Sequence, residues 1–125
     1  MIKVLFILAS LAWSAPESEP VAVGSHGNAE LDACLSFGRV TVPGGKSVEM
    51  RAAPNASSGV VVVLEDGDLV HLCSVSTDGN WHGVIDGSDL NINCDIGSPV
   101  VEERGYVGAC KSGWVDVKFI EVVAG

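Results

Sequence analysis

The sequence predicts an all-β fold: a small barrel or sandwich of short strands. Three observations carry this. Apolar runs such as Val60–Leu64 and Leu69–Val75 alternate with clusters of Gly, Pro, Asn, Asp and Ser, at the spacing of roughly 8–12 residues that short strands joined by turns produce. Two of the clusters, Glu65-Asp66-Gly67-Asp68 and Thr77-Asp78-Gly79-Asn80, are tight-turn sequences, the second of a type strongly favoured in hairpins. Four cysteines, Cys34, Cys73, Cys94 and Cys110, stand in a chain of 125 residues, an even count that suits a small domain held by two disulfides.

The first residues are set apart from the fold. Met1-Ile2-Lys3 is a short basic start, Val4 to Ala12 is apolar apart from Ser10, and Ala12-Trp13-Ser14 places small residues where a signal peptidase reads them. That pattern marks 1–14 as a secretory signal, and the apolar run is too short for the roughly 20 residues of a membrane-spanning helix. No Cys lies near the cut, so a lipid anchor is not expected. The remainder is expected to be exported, periplasmic or extracellular, with no membrane span. Without Lys3 it holds 6 basic and 16 acidic residues, a net charge of −10. Such a surface repels phosphate backbones and excludes nucleic acid as a partner. Residues 15–30, with Pro16, Pro20, Gly24 and Gly27, have no period and read as a linker. Residues 31–125 form the single domain.

Within the domain, Arg39–Val42 is the first strand, with Val40 and Val42 on one face. Pro43-Gly44-Gly45-Lys46 turns the chain, Val48–Arg51 pairs back, and Ala52 to Gly59 is a polar loop. Val60–Leu64 is continuously apolar, as expected of a strand covered on both sides. In Leu69–Val75 the two-residue period sends Val70 and Leu72 inward and His71 and Cys73 outward. Trp81–Ile85 follows the hairpin turn. Asp86 to Gly105 intervenes, with Gly87, Asn91, Asn93, Gly97 and Pro99 in it. Tyr106–Lys111 is the next strand, Ser112–Val115 a turn, and Val117–Val123 the last strand, with Phe119 and Val122 buried.

The order of these pieces resembles a bacterial SH3 (SH3b) domain. Val48, Arg51 and Pro54 match that family's opening strand and loop. Gly67, Val70 and Leu72 match its apolar strand, Gly79, Trp81 and Val84 its Gly-x-Trp strand, and Gly113, Trp114 and Val115 its closing Gly-Trp-Val. The resemblance implies a small SH3-like barrel with an N-terminal extension. It also makes Asp86–Gly105 an insertion at the distal hairpin, a departure from the family pattern. In such a barrel the first strand runs antiparallel beside the second long strand, which implies Cys34–Cys73 and leaves Cys94 for Cys110. Cys73–Cys94 with Cys34–Cys110 stays open as the alternative.

No catalytic set is evident. Zinc lacks a Cys-x-x-Cys or Cys-x-His cluster. His71 and His82 fall on adjacent strands and could face one another near Asp78 or Asp86, but a third ligand is missing. Asp86-Gly-Ser-Asp-Leu-Asn-Ile-Asn is calcium-loop-like without the terminal glutamate. No metal or cofactor is expected, and oxidised cysteines offer no nucleophile. Aromatic residues are the better lead. Trp81, Tyr106 and Trp114 are the candidate ligand contacts, Trp81 foremost. The resemblance places it beside a shallow groove, between the first long loop and the hairpin turn after the second strand, where aromatics stack on prolines, sugars or peptide bonds. The expectation is a non-enzymatic, monomeric binding module for a cell-wall component or a peptide or protein ligand. The alternative is a secreted inhibitor or immunity-type protein that blocks an enzyme through the loop 86–105.

Overall fold

The computed structural model describes residues 17–24, 33–34, 36–96 and 102–125. The expected signal segment 1–14 and much of the expected linker 15–30 lie outside the described residues. The described chain is all-β, with no α-helix among those residues. The strands are β1 (Ala22–Val23), β2 (Ser36–Val40), β3 (Ser47–Arg51), β4 (Val60–Glu65), β5 (Leu69–Val75), β6 (Trp81–Asp86), β7 (Arg104–Gly105), β8 (Ser112–Asp116) and β9 (Ile120–Ala124). Seven of them make one antiparallel sheet in the order β4-β3-β8-β6-β5-β2-β9, and β1 pairs with β7 in a second, two-stranded sheet. The large sheet is open, with β4 and β9 at its ends.

The turns form where glycine and aspartate allow them. Gly67 and Gly79 take left-handed φ values of 92° and 77°, which suit a residue without Cβ. Asp68 Oδ2 accepts the Glu65 N–H, and Asp78 Oδ1 accepts both the Ser76 hydroxyl and the Asn80 N–H. These contacts hold the Asp78 carboxyl below its ordinary pKa, the Ser76 bond being the largest cause.

β2 runs antiparallel to β5, with Ser36 opposite Leu72 and Arg39 opposite Leu69. That register brings the chain just before β2 to Cys73. The disulfides are Cys34–Cys73 and Cys94–Cys110, the pairing an SH3-like barrel implies. Two disulfides are compatible with an exported protein. No helix among the described residues is long and apolar enough to cross a membrane.

The interior has two clusters. One is aliphatic: Val40, Val42, Met50, Leu64, Val70, Leu72, Val84 and Val115. The other joins Val21, Val23, Ala33, Cys73, Ile85, Cys94, Ile96 and Trp114. Residues i and i+2 of a strand share a face, so β6 serves both clusters, Val84 going to the first and Ile85 to the second.

Several expectations are corrected. β3 does not pair back on the first strand: it lies between β4 and β8, and the first strand lies between β5 and β9. The Pro43–Gly45 segment is a 3-10 turn with Gly44 and Gly45 at positive φ, and it redirects the chain instead of folding it into a hairpin. Val60–Leu64 is an end strand, with Val60, Val61 and Val63 exposed. The segment read as linker contributes Val21 and Val23 to the interior and a strand to the small sheet. Cys73 lies on the face opposite Val70 and Leu72, as the two-residue period requires, but that face is covered too, and Cys73 is buried there in the second cluster with Val21, Ile85 and Trp114. Tyr106–Lys111 is not a strand, and Ser112–Val115 lies in β8 and not in a turn. Val122 is 56% exposed on the end strand β9, whereas Phe119 packs partly against the aliphatic cluster.

Candidate functional site

β3 and β4 form a hairpin whose outer residues face the start of β6 and the end of β8. Between them lies an open groove of about 330 Å³, lined by Ser47, Val48, Glu49, Arg51, Ala56, Val63, Trp81, Asp116 and Phe119. Trp81 is half-buried at the first position of β6, opposite Asp116 of β8. Its backbone is fixed on both sides: its N–H donates to the Ser76 hydroxyl, and its carbonyl accepts the Ser76 N–H. The indole N–H has no partner among the described residues, so the ring presents an apolar face and one available donor.

The second aromatic, Phe119, arrives through a 3-10 turn over Val117–Phe119. Asp116 caps this turn by accepting the Lys118 N–H at 3.0 Å. The Val117 N–H donates to the Asn80 carbonyl, and the Phe119 carbonyl accepts the Thr41 N–H. These bonds join the turn to the β5–β6 loop and to the end of β2, so the groove's far wall is braced by three parts of the chain. Lys118 Nζ lies 5.1 Å from the centre of the Phe119 ring and 3.6 Å from Asp116 Oδ2.

The near wall carries charge already matched. The Arg51 guanidinium is paired with the Glu49 carboxylate and donates through Nη1 to the Ser58 carbonyl at 2.9 Å. Ser58 is a buried polar residue that organises the 52–59 loop. Its hydroxyl donates toward the Ala53 and Asn55 carbonyls and accepts the Ala53 N–H. The groove is therefore an apolar floor of Trp81, Phe119, Val48 and Val63 between polar rims whose geometry is set in advance. Such a surface suits stacking and backbone hydrogen bonding to an extended ligand.

The other two aromatic candidates lie elsewhere. Trp114 is 4% exposed in the second interior cluster, and its Nε1–H donates to the Glu19 carbonyl at 2.8 Å; it has no ring face to offer a ligand. The Tyr106 hydroxyl donates to the Cys94 carbonyl at 2.7 Å and accepts the Cys110 N–H at 3.2 Å, bracing the Cys94–Cys110 bridge. Phe119 is the groove residue that sequence reasoning missed. The sequence places it on the interior face of the last strand, just after Gly-Trp-Val, and only the 3-10 turn over Val117–Phe119 brings it into the groove.

The histidines do not meet. His71 is opposite Ile85 and His82 opposite Val75, so the cross-strand pair considered above does not form. Burial lowers the pKa of both below the ordinary histidine value. His71 packs edge-on against Phe37 with ring centres 5.0 Å apart. No group of three or more His, Cys, Asp or Glu side chains able to hold a metal is present among the described residues.

Comparison of the chain with protein-family models, with curated proteins and with solved structures yields no match.

Proposed function

We propose that this protein is an exported, non-catalytic binding module of SH3b-like barrel architecture. In this reading it recognises a cell-envelope polymer or an extended peptide in the groove between the β3–β4 hairpin and the β5–β6 turn. The observation that carries the reading is the place of Trp81. It is half-buried, fixed by Ser76, and paired across an open groove with Phe119 and Val63. The antiparallel neighbourhood of β2 and β5 supports the SH3b-like reading of the strands. The polar rims, Glu49–Arg51 on one side and Asp116–Lys118 on the other, supply donors and acceptors for a ligand backbone.

A pull-down on isolated cell wall tests this. Wild-type protein is expected to sediment with the wall, and Trp81→Ala to lose about tenfold or more in affinity, since stacking on a large aromatic ring contributes about 1 kcal/mol or more beyond its area. If wild type stays in the supernatant, the wall is not the ligand. If Trp81→Ala binds as well as wild type, the groove is not the site.

The second reading, a secreted inhibitor acting through the loop 86–105, draws on Leu90. This side chain is 94% exposed in a loop closed by Cys94–Cys110 and shaped by Asp86, Asp89 and Asn93, each accepting the N–H two residues ahead. Wild-type protein that ignores the wall but captures a secreted enzyme, with Leu90→Ser losing that capture and Trp81→Ala keeping it, would favour this second reading.

A further inference from the structure

We propose that the free edge of β4 is a self-association site, through which two copies of this chain pair antiparallel, strand to strand, about a two-fold axis. β4 ends the large sheet, so among the described residues one row of its backbone N–H and C=O groups faces no strand. Among the described residues, Val60–Leu64 make no backbone bonds beyond their ladder to β3. Side-chain exposure runs the same way: Val60 is 46% exposed, Val61 38% and Val63 52%.

Sheet edges left open in this way are normally guarded by Lys, Pro, a short strand or a bulge, because they template pairing with another chain. The run Val60–Leu64 has no charge, no Pro and no Gly. Its one irregularity is at Val61, where Met50 pairs with Val62 and Arg51 with Val60; the stretch from Val62 to Glu65 remains regular. The opposite edge differs. There β9 carries Glu121 within the strand, a charge of the kind that blocks edge pairing.

Charge placement selects a second copy in antiparallel orientation. The acidic end of β4 is Glu65-Asp66-Gly67-Asp68, and its other end follows Ser57-Ser58-Gly59, which carries no charge. Antiparallel pairing about the strand centre sets the acidic end of each copy against the uncharged end of the other. Parallel pairing would set the two acidic ends side by side, where like charges opposite one another are destabilising. β4 pairing with β9 of another copy would be heterologous and generate open chains, whereas the β4–β4 contact closes on itself. The net charge of −9 on the full sequence opposes approach at long range, and salt screens that repulsion. Self-association is therefore strengthened by added salt. Because Val63 also lines the groove with Trp81, the pair carries its two grooves on one continuous sheet, an arrangement suited to a repeating polymer.

Sedimentation velocity and native mass spectrometry on the purified exported chain test the proposal. The expected result is a dimer whose Kd falls as salt rises. Val63→Lys should raise that Kd by about tenfold or more, and Val122→Lys on the other edge should leave it unchanged. Circular dichroism checks that each variant is folded. Should Val63→Lys not fold, Val60→Lys at the strand's exposed start takes its place. In hydrogen exchange, the Val63 amide, on the row of β4 that points away from β3, should lose protection on dilution to monomer, while the amides laddered to β3 keep theirs. A monomer at every concentration overturns the proposal, as does a dimer indifferent to both lysine variants or a mass that climbs in an open series. A monomer in which the Val63 amide is protected also overturns it, since another part of the same chain then covers the edge.

Discussion

Around Met50 the interior consists of aliphatic side chains from long strands, each strand held by ladders on one or both sides. Around Trp114 it combines two half-cystines, a tryptophan and residues from segments with little regular structure: the two-residue strand β1, Ala33, and Ile96 in the insertion. The first region can be closed by apolar burial and backbone pairing. The second recruits pieces whose own hydrogen bonds are few, and there sulfur bridges and single side-chain bonds replace ladders. Cys34–Cys73 lies where the two regions meet, since Cys73 belongs to the second cluster and its neighbour Leu72 to the first. Cys94–Cys110 serves the second alone.

The largest test of this contrast is to open the bridges separately. Replacing Cys34 and Cys73 by Ala, which frees a sequence separation of 39, is expected to cost about 4 kcal/mol by loop entropy, and replacing Cys94 and Cys110, with a separation of 16, about 3 kcal/mol. Urea unfolding gives the magnitudes. Hydrogen exchange gives the location: the second pair should loosen residues 87–110 and spare β2–β6. If the large sheet loosens equally in both variants, the two regions are a single cooperative unit.

Truncation in the aliphatic region comes next. Met50 is fully buried, so Met50→Ala is expected to cost about 3 kcal/mol and to lower protection across β3, β4 and β8 together. A loss confined to β3 would contradict that picture.

A smaller effect of the opposite sign is expected at Ser74. Its hydroxyl is buried without a hydrogen-bond partner among the described residues, near Val21 and Trp114 where they close over Gly83. Removing a buried, unpaired polar group relieves its desolvation cost, so Ser74→Ala should stabilise by up to about 1 kcal/mol. Destabilisation by that substitution would show that the hydroxyl has a bridging water.

The smallest effect is that of pH. His71 and His82 have folded pKa values below their unfolded value. The unfolded chain therefore binds more protons between the two values, and stability is full above the ordinary histidine pKa and falls as pH drops through it toward the folded values. Thermal unfolding from pH 7.5 to 5 should show this decline, and the double variant His71→Gln, His82→Gln should flatten it. An unchanged slope would assign the decline to other groups.

Local features were legible in the sequence and long-range ones were not. The turns at Glu65–Asp68 and Thr77–Asn80, and the strands around them, follow from glycine at positive φ, aspartate caps and apolar runs, all properties of adjacent residues. The partner of β3 is not such a property: the pattern Val48–Arg51 is the same whether it pairs with β2 or β8. A run of four valines and a leucine marks a strand equally well at the centre or the end of a sheet, so the exposure of β4 was hidden. Cys73 alternates with Leu72 as its sequence says, but no local property showed that its face would also be covered, by Val21, Val23 and Ala33. Within the site, Trp81 was legible because the resemblance of the strand order places it beside a groove. Phe119 was not, because a 3-10 turn of three residues decides which way it points.

The bond from Trp114 to the Glu19 carbonyl has a practical consequence for anyone cutting the chain. A recombinant fragment starting at Leu31, where the composition suggests the domain begins, would discard Glu19, Val21 and Val23. It would strip the indole of its acceptor and open a void beside it. The upstream segment acts as a stopper in the base of the fold, and protein prepared without it would be expected to misbehave for reasons unrelated to any ligand.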